Sequence, residues 1–595
     1  MSRPRAVCDI ECYKNYFLIA FKNIDNGKSA TFERTPEQPL DINGVVSLLN
    51  RYTIVTFNGR NYDEPVLRYA LKGVSNAHLK ALSDDIIQNN MKPWTVEDKY
   101  ALPKIPFVDH IDIIEVAPGM ASLKVYGGRL HSHRMQDLPI HHDAELTQAD
   151  IEQIRPYCIN DLDTTIDLYR KMEQQIKLRE AMSVEYGVDL RSKSDAQIAE
   201  AVIRSEVEKR KGSKVYKPEF RADYKFQYQV PDFISFKTEL LQGVLATVAS
   251  ADFTLSEKGD VAEPKAIGSL KFQIGGTTYQ MGIGGLHSCE STVSHQSDDE
   301  YTLYDRDVTS YYPMIILNQK LYPKHLGADF LTVYKTIVDR RVAAKRAGDK
   351  VTDAALKITI NGSFGKFGSK WSVLFSPNLL VQTTVTGQLA LLMLIEQLEL
   401  SHIPVVSANT DGVVIKCHHA DRDVMLDVIA AWENVTQFNT EETHYAALYS
   451  RDVNNYLALK PDGTYKTKGV FAEPGLSKNP TNQICVMAVA DYLQFGIPVE
   501  TTIYNCTDIR KFISIRNVTG GAVKGEDFLG RAVRWYYAKN ESGCINYKNN
   551  GNKVAKSDGA KPLMTLGSTL PGDLDHDWYI KESLDMLTQV AGCSV

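Results

Sequence analysis

The chain has 595 residues, of which 43 % are hydrophobic and 24 % charged, with a formal net charge of −6. That length exceeds what one hydrophobic core organises and suits several globular domains. The mild acidity argues against a general polyanion binder, although metal-binding carboxylates can mask a basic groove. Nine cysteines (Cys8, Cys12, Cys158, Cys289, Cys417, Cys485, Cys506, Cys544 and Cys593) are scattered, without a C-x-x-C pair. Free thiols in a reducing compartment are the expectation, and the absence of a secretory signal agrees with it. No apolar run of the ~18–20 residues needed to span a bilayer stands out, so a soluble, non-membrane protein is expected.

In chain order, Ala6–Ile10, Tyr16–Phe21 and Tyr52–Phe57 read as short strands. Ile151–Met172 and Ser194–Lys211 read as helices, the second stopped by Gly212. Glycines cluster at Gly275-Gly276 and Gly282–Gly285 without a dinucleotide fingerprint. Leu303–Asp307 reads as a strand, Phe330–Ala347 and Thr352–Phe364 as helices. Val405–Ala408 and Val413–Lys416 read as strands flanking an Asn409-Thr410-Asp411-Gly412 turn. From Thr519 onward the chain is rich in Gly, Lys and Tyr, which predicts a smaller, looser domain.

Two sets of residues carry chemistry. In the first, Asp9 and Glu11 lie two apart on a strand and therefore share a face. Asp63 closes the segment Asn58-Gly-Arg-Asn-Tyr62-Asp63, and Tyr157 and Asp161 stand one helical turn apart. Hard cations prefer such oxygen ligands, and two of them can activate water and stabilise a leaving oxygen. The order D-x-E, N-x-x-x-Y-D, Y-x-x-x-D resembles the three exonuclease motifs of the DnaQ-like superfamily. The resemblance implies metal ligands at Asp9, Glu11, Asp63 and Asp161, and a water-positioning tyrosine at Tyr157. It also implies contacts to a DNA strand at Asn58 and Tyr62, and leaves Asp112 and Asp163 as structural.

In the second set, Asp307-Val-Thr-Ser310-Tyr311-Tyr312-Pro313 follows a strand. Lys357, Asn361 and Phe364 share a helix face, and Asp411 sits in the hairpin turn. Carboxylates on strands with cations on helices are what transfer of a phosphoryl group requires. These segments resemble the D-x-x-S-L-Y-P, K-x-x-x-N-S-x-Y-G and D-T-D motifs of family B DNA polymerases. Together with the exonuclease motifs, the resemblance spans about residues 6 to 470. It implies metal ligands at Asp307, Asp411 and the Val308 carbonyl, and triphosphate-binding amides at Ser310 and Tyr311. It further implies a sugar gate at Tyr312, nucleotide contacts from Lys357, Asn361, Arg341 and Lys345, and Mg²⁺ or Mn²⁺ as cofactor, two per active site. Basic residues outnumber acidic ones between Lys320 and Lys370, as a phosphate-binding surface requires.

The chain departs from the family pattern at several positions. Asn409 replaces the first aspartate of D-T-D, Gly362 the serine and Phe364 the tyrosine of the second motif. Gly284 and Gly285 match the glycines of a DNA-contacting Y-x-G-G linker that here lacks its aromatic. Tyr456 keeps only the tyrosine of a primer-contacting K-x-Y, with Lys466 and Lys468 supplying charge. Only 50 residues separate Asp307 from Lys357 and 46 separate Gly365 from Asp411. That leaves little room for the insertions of protein-primed viral enzymes.

The expected fold is multidomain α/β and α+β, with an RNase H-like exonuclease domain and a right-hand polymerase. Its divisions are 1–190 (exonuclease), 191–330 (palm with linker), 331–370 (fingers), 371–518 (palm) and 519–595 (thumb). Arg531 and Arg534, with the following lysines, are expected to face duplex DNA from the thumb. The implied activity is DNA-templated DNA synthesis with 3′–5′ proofreading, by a compact, monomeric viral or phage replicase in the cytoplasm of an infected bacterium. Its partners would be primer-template DNA and deoxynucleoside triphosphates, with replisome accessory proteins left open. The competing readings are a stand-alone 3′–5′ exonuclease with a degenerate polymerase half and a non-catalytic single-strand binder. Intact Asp307, Lys357 and Asp411 speak against the first, and two separate carboxylate sets against the second.

Overall fold

A computed structural model describes residues 3–104 and 109–591; Cys593 lies outside the described residues. The protein is a mixed α/β chain that forms two compact units. One comprises Met1–Ser194, Glu473–Ile484 and Ile503–Tyr579, the other Asp195–Ala472, Cys485–Thr502 and Ile580–Val595.

The first unit is built on a five-stranded sheet in the order Ser29–Arg34, Phe17–Asn23, Arg5–Cys12, Thr53–Thr56, His110–Asp112. The first three strands are antiparallel and the last two run parallel to the central strand. The central strand is apolar on both faces, because both are covered. Val7 packs with Leu18, Val55 and the helix residues Ile154 and Leu162. Ile10, on the other face, packs with Ile19, Val45, Leu49 and Val66. The helix Gln148–Lys171 begins with a capping box in which Thr147 and Asp150 bond each other's backbone amides. It buries Ile151, Ile154, Cys158 and Leu162, one face at three- and four-residue spacing.

The same unit holds the long antiparallel strands Ser514–Lys524 and Asp527–Tyr537, in a four-stranded sheet with Asn546–Tyr547 and Ala560–Pro562. This sheet runs through the stretch from Thr519 onward that the composition predicts to be loose. Two 11-residue strands give the segment regular backbone pairing. It also pairs with the N-terminal part of the unit, through Met135 N–H to the Met564 carbonyl (2.8 Å).

The second unit carries a seven-stranded sheet. Tyr301–Val308, second from one edge, is flanked antiparallel by the edge strand Thr440–Tyr445 and by Gly412–His418, the latter paired in turn with Val405–Asn409. The helix Pro377–Leu400 packs beneath the sheet. It is the one helix among the described residues long and apolar enough to cross a membrane, contrary to the expectation that no such run exists. Yet 83 % of its apolar window is buried inside the protein, so it is a core helix. A second core joins the helices Asp195–Lys211, Asp329–Ala347 and Lys350–Phe367 through Ile203, Val207, Tyr334, Leu356 and Ile360. Gly348, with φ +70°, ends the second of these, and Asp349 caps the third by accepting from the Thr352 amide.

Two candidate acidic centres

The first centre belongs wholly to the first unit. Asp9 and Glu11 project from the central strand, Asp63 opens the helix Asp63–Ala70, and Asp161 lies one turn beyond Tyr157 on the helix Gln148–Lys171. Ligand-type atoms of Asp9, Glu11 and Cys158 lie within 4.8 Å of one another, and the Cys158 thiol reaches Asp9 Oδ2 at 3.7 Å. Burial and the neighbouring carboxylates push all four acids up. Asp9 rises to about 7, mainly by desolvation and then by Asp161, and Glu11 and Asp63 rise well above the usual carboxylate range. Asp63 is only 5 % exposed, and its Oδ1 has no hydrogen-bond partner. Buried carboxylates with so little neutralisation, one oxygen orphaned, form a donor set that fits divalent cations.

One cation answers them. Lys124, on the helix Leu123–Arg129, bonds Asp161, and its ammonium stands 4.3 Å from the centroid of the Tyr157 ring. Sequence reading missed this lysine, since a single Lys in Leu-Lys-Val-Tyr carries no spacing signal. The loop before Asp63 is held by Asp112, which accepts from the amides of Asn58 (2.8 Å) and Arg60 (2.9 Å). Asn58 takes a positive φ of 67°, which asparagine tolerates better than most residues. Tyr62 turns its hydroxyl to Ser83 Oγ (2.9 Å) inside the unit. Asp163 pairs with Lys22 on the surface.

The second centre belongs wholly to the second unit. Asp307 faces Gly412 across the antiparallel pair, and the Val308 N–H donates to the Asp411 carbonyl at 2.7 Å, which ties the turn to the strand. Gly412 is required there, because a Cβ would run into the Asp307 carboxylate and the Arg306 carbonyl (3.1 Å). Both acids border a cavity of about 800 Å³. Val308, Ser310, Tyr311, Tyr312, Arg341, Lys345, Arg346, Asn361 and Glu441 line it too. Lys357 is exposed one turn before Asn361 and is not among the lining residues. Burial and the charge of Asp305 raise Asp307 to about 6, against the opposing pull of Lys466; Asp411 is raised chiefly by burial.

Neighbouring contacts set the geometry of the lining residues. Arg341 donates from Nε to Asp353 (3.1 Å) and from Nη1 to Ser310 Oγ (3.4 Å), while Lys345 pairs with Glu441 (3.0 Å). Ser310, with φ +52°, turns the chain into the helix Tyr311–Asn318. Tyr311 is buried and donates to the Gly387 carbonyl (2.6 Å). Tyr312 lies half-buried at the cavity, stacked 4.6 Å from Phe364.

The structure gives physical reasons for the departures from the family motifs. A Cβ on Gly362 would stand 2.5 Å from the Asp195 carbonyl oxygen, so the close packing of two helices excludes serine. Asn409 donates from Nδ2 to the Val453 carbonyl (2.8 Å), a bond that an aspartate could not make. Gly285 admits Thr410, whose Cα would lie 2.8 Å from a Cβ there, whereas Gly284 has open space. Gly285 therefore serves the turn's packing. Tyr456 pairs with Lys468 across the strands Asn455–Leu459 and Tyr465–Lys468, and Lys466 reaches the acids themselves.

Arg534 requires a correction. It is fully buried and donates to the carbonyls of Ser132 (2.9 Å), His133, Leu563 (2.7 Å) and Met564. It is a structural clamp, unable to reach a duplex. Arg531 is exposed but paired with Asp137 (3.4 Å).

No family model matches the chain. A 125-residue stretch is 27 % identical to DNA polymerase 1 of Aeropyrum pernix, covering 21 % of this chain and 13 % of that polymerase. The match thus spans a small part of the relative's length. Among solved structures, the chain is similar to the family B DNA polymerase from the hyperthermophilic archaeon Pyrobaculum calidifontis. That similarity has a TM-score of 0.42 and 14 % identity, and covers 99 % of this chain and 78 % of the other.

Proposed function

We propose that the protein is a DNA-templated DNA polymerase with its own 3′–5′ proofreading exonuclease, one activity in each unit. The observation that carries this reading is that Asp307, near the end of its strand, and Asp411, in the turn beside it, border one cavity that Arg341, Lys345 and Asn361 also line. A nucleoside triphosphate needs carboxylates that hold cations, basic groups that hold phosphates, and a flat surface for the sugar and base.

In this reading the seven-stranded sheet is the palm and the helices Asp329–Ala347 and Lys350–Phe367 are the fingers. The sheet of the first unit is RNase H-like, its first three strands antiparallel and the next two parallel. Asp307 and Asp411 would hold Mg²⁺ in the second unit, and Asp9, Glu11, Asp63 and Asp161 in the first. Bound there, divalent cations would supply the positive charge that phosphoryl transfer and phosphodiester hydrolysis need. Arg341 and Lys345 bind the triphosphate, the amides of Ser310 and Tyr311 face its oxygens, and Tyr312 excludes a 2′-hydroxyl. In the exonuclease centre, Tyr157 orients water and Lys124 holds Asp161 in place.

The intervals that hold insertions in protein-primed enzymes are occupied here by the helices Tyr311–Asn318, Asp329–Ala347, Lys350–Phe367 and Pro377–Leu400. This supports a compact viral or phage replicase acting on primer-template DNA. Primer extension with and without nucleotides tests the proposal. Extension with nucleotides and shortening without them is the expected result. Shortening alone would leave a stand-alone exonuclease, and neither would leave a binding protein.

A further inference from the structure

Asp305 stands two residues before Asp307 on the strand Tyr301–Val308, so the two carboxylates leave the same face. Asp305 is 6 % exposed, whereas the Asp307 side chain is 49 % exposed at the cavity. From the neighbouring strand, the fully buried Tyr445 donates its phenol to Asp305 Oδ2. Lys466 places its ammonium 3.3 Å from that same oxygen and 3.6 Å from Asp307 Oδ2. One flexible cation thus bridges a fixed carboxylate and a cavity-facing one. No sequence motif points to Asp305, and position 409 is committed to the Val453 carbonyl.

An ammonium this close to Asp307 repels a divalent cation approaching the same oxygen, and the repulsion is strong where water is partly excluded. The lysine must therefore move for the acids to be used, and the structure shows where it can go. We infer that Lys466 is a displaceable counter-ion. Asp305, locked by Tyr445, is the positioning residue that receives it when a divalent cation binds Asp307 and Asp411. Before loading, Lys466 neutralises Asp307; after loading, its charge rests on Asp305. This inference rests on the reading of Asp307 and Asp411 as the cation-holding pair.

The test measures Mn²⁺ affinity from the electron paramagnetic resonance signal of the free ion. It uses the full chain with Asp9→Ala and Glu11→Ala, so that the other centre is silent. Asp305→Asn preserves shape and still accepts from Tyr445, but it cannot take the ammonium's charge. It is expected to weaken Mn²⁺ binding about 10-fold when Lys466 is present and less than about 3-fold when Lys466→Met is combined with it, a coupling that independent charges would not show. Lys466→Met alone should tighten binding. Equal losses in both backgrounds would make Asp305 a mere distant charge and overturn the inference.

Asp411→Ala in the same background separates the two layers of the argument. If it leaves Mn²⁺ binding intact, the reading of the centre fails and this inference with it. If it abolishes binding while the Asp305 and Lys466 effects add, only the inference fails. Should Asp305→Asn unfold the chain, Tyr445→Phe frees Asp305 without removing it. It is expected to weaken binding about 3-fold with Lys466 and negligibly with Met at 466, since a lost hydrogen bond acts here only through the lysine. An equal effect in both backgrounds would also overturn the inference.

Discussion

The two acidic centres solve the same electrostatic problem differently. In the first unit Asp63 and Asp161 are almost wholly buried, and Lys124 bonds Asp161. In the second unit Asp307 is half-exposed beside a cavity, and Lys466 touches both it and Asp305. The first arrangement leaves Asp63 Oδ1 buried with no hydrogen-bond partner. The second keeps Asp305 and Asp307 beside a counter-ion, with Asp307 open to the cavity. Burial thus sets how much of a centre's charge goes unanswered, and the placement of one lysine sets which acids are neutralised.

The largest effects should come from removing acids, and they should fall on one activity each. Asp9→Ala with Glu11→Ala should lower exonuclease rate by ~10⁴-fold while primer extension persists, because each centre draws all its ligands from one unit. Loss of extension in a folded double variant would break the comparison. Asp411→Ala should cut nucleotide incorporation by ~10³-fold and leave degradation of single-stranded primer intact. A fall in both activities would mean that the centres are coupled.

Lys124→Met should lower the exonuclease rate by ~10–100-fold without altering incorporation, since it frees Asp161 and removes the charge over the Tyr157 ring. An unchanged rate would reduce Lys124 to a packing residue. Tyr312→Ala should raise incorporation of ribonucleotides relative to deoxynucleotides by ~10–100-fold in kcat/KM, because its ring borders the cavity while Tyr311 is tied to Gly387. Relaxation in Tyr311→Ala alone would reverse that assignment. The smallest effect belongs to Asn409→Asp, which exchanges a donor to the Val453 carbonyl for a repelled carboxylate. It should lower the melting temperature slightly, by about 1 kcal/mol of stability, with no gain in incorporation. A large gain would show that position 409 holds a cation after all.

The central strands and both acidic turns were legible because their signals are local. Asp9 and Glu11 alternate on one strand, Tyr157 and Asp161 lie a turn apart on one helix, and Asn409–Gly412 reads directly as a hairpin. What escaped depends on residues distant in sequence. Lys124 finds Asp161 37 residues away, and Lys466 finds Asp305 161 residues away. Arg534 misled for the opposite reason. Basic residues among aromatics read as a surface, yet four carbonyls from separate segments satisfy this one inside the unit. The core helix Pro377–Leu400 was overlooked because it is apolar nearly all round, which erases the periodicity by which helices are read.

The close approach at Gly362 has a mechanical consequence. With no room for even a methyl group between the helix Lys350–Phe367 and the backbone at Asp195, any side chain at 362 would force the two helices apart. The neighbouring Asn361 would move with its helix, so the shape of the cavity wall depends on a hydrogen atom one residue away.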